Sequence, residues 1–108
     1  MIDLTDLEIT RLCANAMHVN IEHVQRNRAY FIYHPLDAPI PLFHEYAPLT
    51  NDEQMVGLVK RFELCVWMSM AGWCCGVDEG DERCQSAPSL NRAVCRFVAL
   101  MQKERGAK

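Results

Sequence analysis

The sequence lacks the features of several large protein classes. No run of apolar residues approaches the roughly 18 that a membrane-spanning helix requires. The net charge is −3 over 108 residues, whereas a dedicated nucleic-acid-binding domain usually has a strongly basic face, so a nucleic-acid partner is not expected. The first residues include acids where a secretory signal peptide would be basic, and no small-residue cleavage site follows. We therefore expect a cytoplasmic protein with no membrane partner.

The sequence also lacks the common motifs of catalytic and nucleotide-binding sites. It contains no G-x-x-x-x-G-K-[ST] phosphate loop, no G-x-G-x-x-G dinucleotide fingerprint and no G-x-S-x-G nucleophile elbow. Because no residue pattern indicates a catalytic or a cofactor-binding site, we predict a protein that is not an enzyme and that binds no cofactor.

Cysteine and histidine, in contrast, are well represented, with 6 and 4 residues. A structural zinc site usually has paired ligands such as C-x₂-C, with a second pair downstream. Here Cys74 and Cys75 are adjacent, and adjacent residues of an extended strand point to opposite faces. Free cysteine packs as a small apolar residue, and the absence of an export signal indicates a reducing compartment. We therefore predict reduced thiols that bind no metal.

Cys95 supports a separate hypothesis. The helical periodicity predicts that it lies opposite the apolar stripe of the last helix, between Arg92 and Arg96. Cationic neighbours lower the pKa of a thiol, and a partly exposed thiolate can act as a nucleophile. A small cysteine-dependent enzyme or zinc-binding protein therefore remains an alternative, although no recognised catalytic triad accompanies this thiol.

Apolar periodicity predicts three helices. Thr5 and Glu8 have the spacing of a capping box at the start of the first helix, and Thr50 and Glu53 repeat it before the second. Ser89 can cap the third. The apolar stripes are Ile9, Leu12, Cys13, Ala16 and Met17 in the first helix, Met55, Leu58, Val59 and Phe62 in the second, and Leu90, Ala93, Val94, Phe97, Val98 and Met101 in the third.

Three segments predict strands. Residues 29–34 are rich in aromatic and β-branched side chains, and residues 72–77 would form a strand beside residues 64–70. Because residues 64–70 are apolar at almost every position, they predict a sheet that is covered on both faces. Residues 21–28 are ambiguous, with a turn expected at Asn27. Four prolines predict an irregular loop between the first strand and the second helix. They are Pro35, Pro39, Pro41 and Pro48, and the predicted loop covers residues 35–49.

Two segments are candidates for binding a partner. The proline-rich loop would hold Phe43 and Tyr46 on a stiff backbone, and aromatic anchors dominate interface energies. The same two side chains would, alternatively, cover the edge of the sheet, and this alternative stays open. The second candidate is an acidic turn, which lacks the ligand spacing of a calcium loop and is most often a solvated turn. Its carboxylates belong to Asp78, Glu79, Asp81 and Glu82.

Residues 46–62 resemble a known family. Tyr46-Ala47-Pro48-Leu49-Thr50-Asn51-Asp52, followed by Val59-Lys60-Arg61-Phe62, is similar to the Y-x-P-L-T-x-D … L-V-K-x-F stretch of small phage and prophage proteins grouped as the phage ABA-sandwich domain. Residues 90–102 resemble the closing helix of that family, and residues 12–17 resemble its opening. A length of 108 residues predicts a single α+β domain over residues 1–108. The resemblance implies that this domain is a three-layer α-β-α sandwich with about three helices and a small antiparallel sheet.

The resemblance implies a phage-encoded protein in the cytoplasm of an infected bacterium, and it implies no activity because the family has no catalytic motif to match. We therefore expect a non-enzymatic protein that binds and modulates a host protein. An anti-defence inhibitor, such as an anti-CRISPR protein, is the most specific form of this expectation. A homo-dimer, or a structural phage protein that self-assembles through the proline loop, is a further alternative.

Overall fold

A computed structural model describes residues 4–33 and 42–106. In these two ranges the strands form two antiparallel sheets of three strands each, in the orders β1-β2-β3 and β4-β5-β6, which we call the first and second sheets. The α+β class, the three helices and the antiparallel pairing confirm the predictions for this part of the chain, which forms a small α+β sandwich. The elements are α1 Asp6–Ala16, β1 His23–Gln25, β2 Arg28–Tyr33, β3 Leu42–Tyr46, α2 Asp52–Phe62, β4 Cys65–Ser69, β5 Gly72–Gly76, β6 Gln85–Ala87 and α3 Leu90–Glu104.

The hydrophobic core lies between the helices and the two sheets. α1 packs along α3, α1 also contacts β2, and α3 contacts β5 and β6. The predicted stripe of α3 is buried around Phe97 and Val98, which are 1% and 0% exposed. α2 adds Met55 and Leu58 to the same cluster. Within the described ranges, no helix has the length and apolar character that a membrane span requires.

Side-chain caps begin α1 and α3 where the sequence predicted them. The Thr5 hydroxyl accepts a hydrogen bond from the Glu8 N–H at 3.1 Å, and the Glu8 carboxylate accepts one from the Thr5 N–H at 3.0 Å. This reciprocal pair confirms the capping box. The Ser89 hydroxyl accepts from the Arg92 N–H at 3.2 Å and caps α3.

The cap of α2 differs from the prediction by one residue. Asn51 is the N-cap, and its side-chain oxygen accepts from the Gln54 N–H at 3.0 Å. The predicted capping box of Thr50 and Glu53 is therefore wrong. The Thr50 hydroxyl instead donates to the Ala47 carbonyl at 3.4 Å, within the preceding turn. Asparagine is among the strongest N-cap residues, so it competes successfully with the adjacent threonine.

The proline-rich segment contains a strand that its sequence pattern does not predict. β3 pairs with β2 over its whole length, so the predicted irregular loop over residues 35–49 is wrong for Leu42–Tyr46. No proline lies within β3, and Pro48 follows it, so each of its residues keeps an N–H for hydrogen bonding. Pro35, Pro39 and Pro41 lie outside the described residues.

The ambiguous segment 21–28 forms part of a β-hairpin. β1 pairs with the start of β2, and Arg26 and Asn27 form the two-residue turn between them. Their φ angles are 52° and 63°, which match the type I′ turn that best joins antiparallel strands. The turn expected at Asn27 is confirmed.

β4 is far more exposed than the sequence predicted. β4 and β5 pair as expected, but every β4 residue is exposed except Trp67, which is half-buried. The prediction of a strand covered on both faces is therefore wrong. β4 is the edge of the second sheet, and α3 packs on β5 and β6 instead. β6, with three residues, is too short to produce a recognisable pattern.

Candidate functional site

The outward side of the first sheet exposes aromatic and apolar side chains. Directly opposed residues of antiparallel strands point to the same side of a sheet. The register pairs His23 with Tyr30 and Ile32 with Phe43, and we call these four residues the aromatic face. The ring centroid of His23 lies 6.1 Å from that of Tyr30 and 6.0 Å from that of Phe43. Because Phe43 is 61% exposed and Ile32 is 37% exposed, the face is accessible to a partner.

Charged and polar side chains border the aromatic face. Arg28 Nε lies 3.9 Å from Glu45 Oε2, and His23 Nε2 lies 3.4 Å from Gln25 Oε1. The Arg28–Glu45 pair is exposed, so it contributes less than about 1 kcal/mol to stability. An apolar aromatic centre surrounded by polar residues is the usual composition of a protein–protein interface.

The inward side of the same sheet packs on the core. The ring of Phe31 lies 5.8 Å from that of His44 and 6.5 Å from that of Tyr46. Tyr46 is 4% exposed, so its ring is not accessible to a partner. Phe43 and Tyr46 are three residues apart in one strand, and odd spacing places side chains on opposite sides. Of these two candidates from the predicted loop, the structure exposes Phe43 and places Tyr46 in the core.

The hydroxyl of Tyr46 is buried and has no hydrogen-bond partner among the described residues. Burial raises the pKa of this phenol, and the nearby thiols of Cys13 and Cys95 raise it further. A buried polar group without a partner costs about 1–3 kcal/mol. The ring of Tyr46 therefore stabilises the core, while its hydroxyl opposes folding.

The acidic turn has one carboxylate that differs from the other three. The Asp81 side chain is 5% exposed and accepts hydrogen bonds from the Val77 N–H at 3.0 Å and the Arg83 N–H at 2.9 Å. These hydrogen bonds, followed by the ion pair with Arg83, lower the pKa of Asp81. Asp81 thus organises the turn itself, and three exposed carboxylates remain accessible to a partner. They belong to Asp78, Glu79 and Glu82.

The structure contradicts the predicted exposure of Cys95. Cys95 is 0% exposed, and its carbonyl accepts a hydrogen bond from Cys13 Sγ at 3.4 Å. α3 contacts α1 and α2 as well as the second sheet, so the buried arc of this helix is wider than its predicted stripe. Cys95 and burial together raise the pKa of Cys13 well above its usual value. Because a nucleophilic thiol must reach its substrate, this burial removes Cys95 as a candidate.

The adjacent cysteines of β5 are both buried. Cys74 pairs with Trp67 and Cys75 with Val66, so they point to opposite sides of the second sheet. Burial raises the pKa of Cys75 to about 12, which disfavours the thiolate form that binds metals. Among residues 4–33 and 42–106, no group of three His, Cys, Asp or Glu side chains could hold a metal ion.

We expect thiol titration of the denatured protein, prepared anaerobically without reductant, to find close to 6 free thiols, because the structure has no disulfide among its 6 cysteines. In the native protein, Cys65 should react first because it is exposed, whereas the buried Cys13, Cys75 and Cys95 should be protected. The variant Cys65→Ser is the control, and its native form should lack the fast phase of the thiol reaction. Stoichiometric zinc by elemental analysis, or a clear deficit of thiols, would contradict this prediction.

Comparisons of the chain with models of protein families, with curated proteins and with solved structures find no match. The function of this chain is therefore inferred from the geometry of its surfaces and from the sequence resemblance described above. Among those surfaces, the aromatic face has the composition that best indicates a binding site.

Proposed function

We propose that this protein binds and modulates another protein, that it is not an enzyme, and that the aromatic face is its binding surface. The observation that supports this proposal is the 61% exposure of Phe43 on a sheet whose other side is anchored in the core. A few aromatic side chains usually provide most of the binding energy of an interface. An aromatic ring left in solvent on a packed sheet is available for that role.

The sheet fixes the aromatic face before any partner binds. Its four residues come from all three strands of the first sheet, and Phe43 is paired directly with Ile32. On the inward side of the same strands, Ala29 and Tyr46 are 1% and 4% exposed. A backbone held in this way needs little further ordering on binding, which favours affinity.

The surface also indicates the chemistry of the partner. The register pairs Glu45 with Tyr30, so its carboxylate lies on the same side as the aromatic face, and it forms an ion pair with Arg28. Among the described residues, the face therefore combines an apolar aromatic cluster with one charge of each sign at one end. The expected partner is therefore a protein with an apolar patch and a polar border, rather than a polyanion or a polycation. The net charge of −3 likewise disfavours a nucleic acid.

The resemblance to phage ABA-sandwich proteins is the support for placing this partner in a bacterium. On that basis we propose a host protein in the cytoplasm of the infected cell. An inhibitor of a bacterial defence system, such as an anti-CRISPR protein, is the most specific form of the proposal. The resemblance supports the identity of the partner, whereas the geometry supports the location of the binding surface.

Phe43→Ala should weaken capture of the partner at least tenfold while leaving the melting temperature nearly unchanged, because the ring is exposed in the free protein and buried in the complex. The measurement is an affinity pull-down from bacterial lysate with quantitative mass spectrometry, followed by calorimetry with the recovered protein. Thermal unfolding of the wild type and the variant shows whether the fold is retained.

Val56→Ala is the matched control for this experiment. Val56 is 40% exposed and lies on α2, outside the aromatic face. We expect it to capture the partner as well as the wild type does. Equal capture by Phe43→Ala and Val56→Ala would contradict the aromatic face as the binding surface, and the absence of any specifically captured protein would contradict the proposed function.

A further inference from the structure

β4 lacks the features that usually protect the edge of a sheet. Natural edge strands are commonly protected by a charge, a proline, a bulge or a covering helix. Residues 64–77, which contain β4, β5 and their connecting turn, include no charged residue and no proline. The pairing of β4 with β5 is regular along its whole length. In the part of the chain that the structure describes, β5 is the main element that packs on β4.

The core-facing layer of the second sheet is incomplete at β4. Val66 pairs with Cys75 and Met68 with Trp73, so these four side chains point to the same side of the sheet. Cys75 is 0% exposed, but Val66 is 37% exposed and Met68 is 62% exposed. The apolar layer that α3 covers on β5 therefore continues onto β4 and ends in solvent.

We propose that two copies of this chain pair through β4 and form a homodimer with one continuous antiparallel sheet. A two-fold axis at Trp67 pairs Val66 with Met68 of the second copy, and it pairs Trp67 with Trp67 of the second copy. The exposed parts of Val66 and Met68 then become the shared centre of a core that spans both copies. Because the contact uses the same surface on each copy, it closes on itself and stops at the dimer.

The backbone of β4 fits this register. Alternate residues of an antiparallel strand direct their N–H and C=O groups to opposite neighbours. Ser69 is paired with Gly72 across a two-residue turn, so Ser69 and Trp67 direct their backbone groups to β5. Val66 and Met68 then direct theirs outward. In the proposed register, Val66 and Met68 of the two copies satisfy one another's backbone groups.

The distribution of charge favours a second copy as the occupant of this edge. The uncharged segment 64–77 of one copy meets the same uncharged segment of the other. The acidic turn of residues 78–82 follows Gly76, which is paired with Cys65 at one end of β4. The two-fold axis places the two acidic turns at opposite ends of the shared ladder. Like charges therefore do not oppose the contact.

The dimer surface is separate from the aromatic face, because β4 belongs to the second sheet and the aromatic face to the first. A ladder of five residues is about 17 Å long at 3.4 Å per residue, which corresponds to a small interface. We therefore expect a dissociation constant in the micromolar range. Sedimentation of the purified chain should show a mass that rises from 12.4 kDa toward twice that value as concentration increases.

Met68→Lys should weaken dimerisation at least tenfold, because it places a charge in the shared apolar layer. Val56→Lys is the matched control, since Val56 is 40% exposed on α2 and gains the same charge away from β4. Val66→Lys tests the other shared position, in case Met68→Lys lowers the melting temperature. A wild type that remains monomeric at high micromolar concentration would overturn the proposal. The proposal would also be overturned if Met68→Lys and Val66→Lys remained folded and dimerised as strongly as Val56→Lys does.

Discussion

Replacing Phe97 by alanine should lower the free energy of unfolding by about 3–5 kcal/mol. Phe97 lies in α3 and is 1% exposed, and it ranks among the largest fully buried side chains in the described part of the chain. Removal of the ring eliminates its hydrophobic contribution and leaves a cavity that the close-packed neighbours fill incompletely. Chemical denaturation of the wild type and the variant, followed by circular dichroism, measures the difference.

Arg92→Ala, on the exposed side of the same helix, is the control for Phe97→Ala. The Arg92 guanidinium donates to both carboxylate oxygens of Asp6, at 2.9 and 3.1 Å. These hydrogen bonds lower the pKa of Asp6. The Asp6 and Arg92 side chains are 66% and 37% exposed, so the pair should contribute no more than about 1 kcal/mol. If Phe97→Ala and Arg92→Ala lowered the free energy of unfolding equally, the buried side of α3 would be wrongly assigned.

Tyr46→Ala should lower the free energy of unfolding by about 2–4 kcal/mol, whereas Tyr46→Phe should leave it unchanged or raise it by about 1 kcal/mol. The ring packs in the core against Phe31, so its loss creates a cavity. The hydroxyl is buried without a hydrogen-bond partner among the described residues, so its loss removes an unfavourable term. Denaturant titration of both variants gives the two differences.

Phe43→Ala is the internal control for this pair of variants. Phe43 lies in the same strand but is 61% exposed on the opposite side, so its replacement should change stability by about 0.5 kcal/mol or less. If Phe43→Ala lowered the free energy of unfolding as much as Tyr46→Ala, both rings would be part of the core. A loss above about 1 kcal/mol from Tyr46→Phe would show that the hydroxyl has a favourable contact.

The helices were predictable from the sequence because their determinants are local. The capping box of Thr5 and Glu8 and the stripe around Phe97 each involve residues within a few turns of one another. Strands depend on pairing partners that are distant in sequence, so short ones leave a weak pattern. β1 and β6 have three residues each and were not assigned. β3 was missed because the prolines around it dominate the composition of its segment.

The candidate site could be predicted only in part, because exposure depends on packing at long range. The sequence pattern predicts Phe43 and Tyr46 together as candidates, but both lie in β3, where an odd separation in sequence gives the two side chains opposite orientations. Cys95 is buried because several elements surround α3. The apolar stripe of a single helix does not indicate how many elements will pack around it. The exposure of β4 follows from its place at the end of the strand order, not from its own composition.

The packing of α1 against α3 also has a consequence for how the chain folds. Cys13 Sγ donates to the Cys95 carbonyl across 82 residues, and Arg92 bonds to Asp6 across 86 residues. Each sheet, in contrast, joins strands that follow one another in the chain, so the sequence separation between paired strands is far smaller. Loop closure costs more entropy as sequence separation grows, and long-range contacts slow folding. We therefore expect the hairpins to assemble early and the packing of the first helix against the last to limit the folding rate.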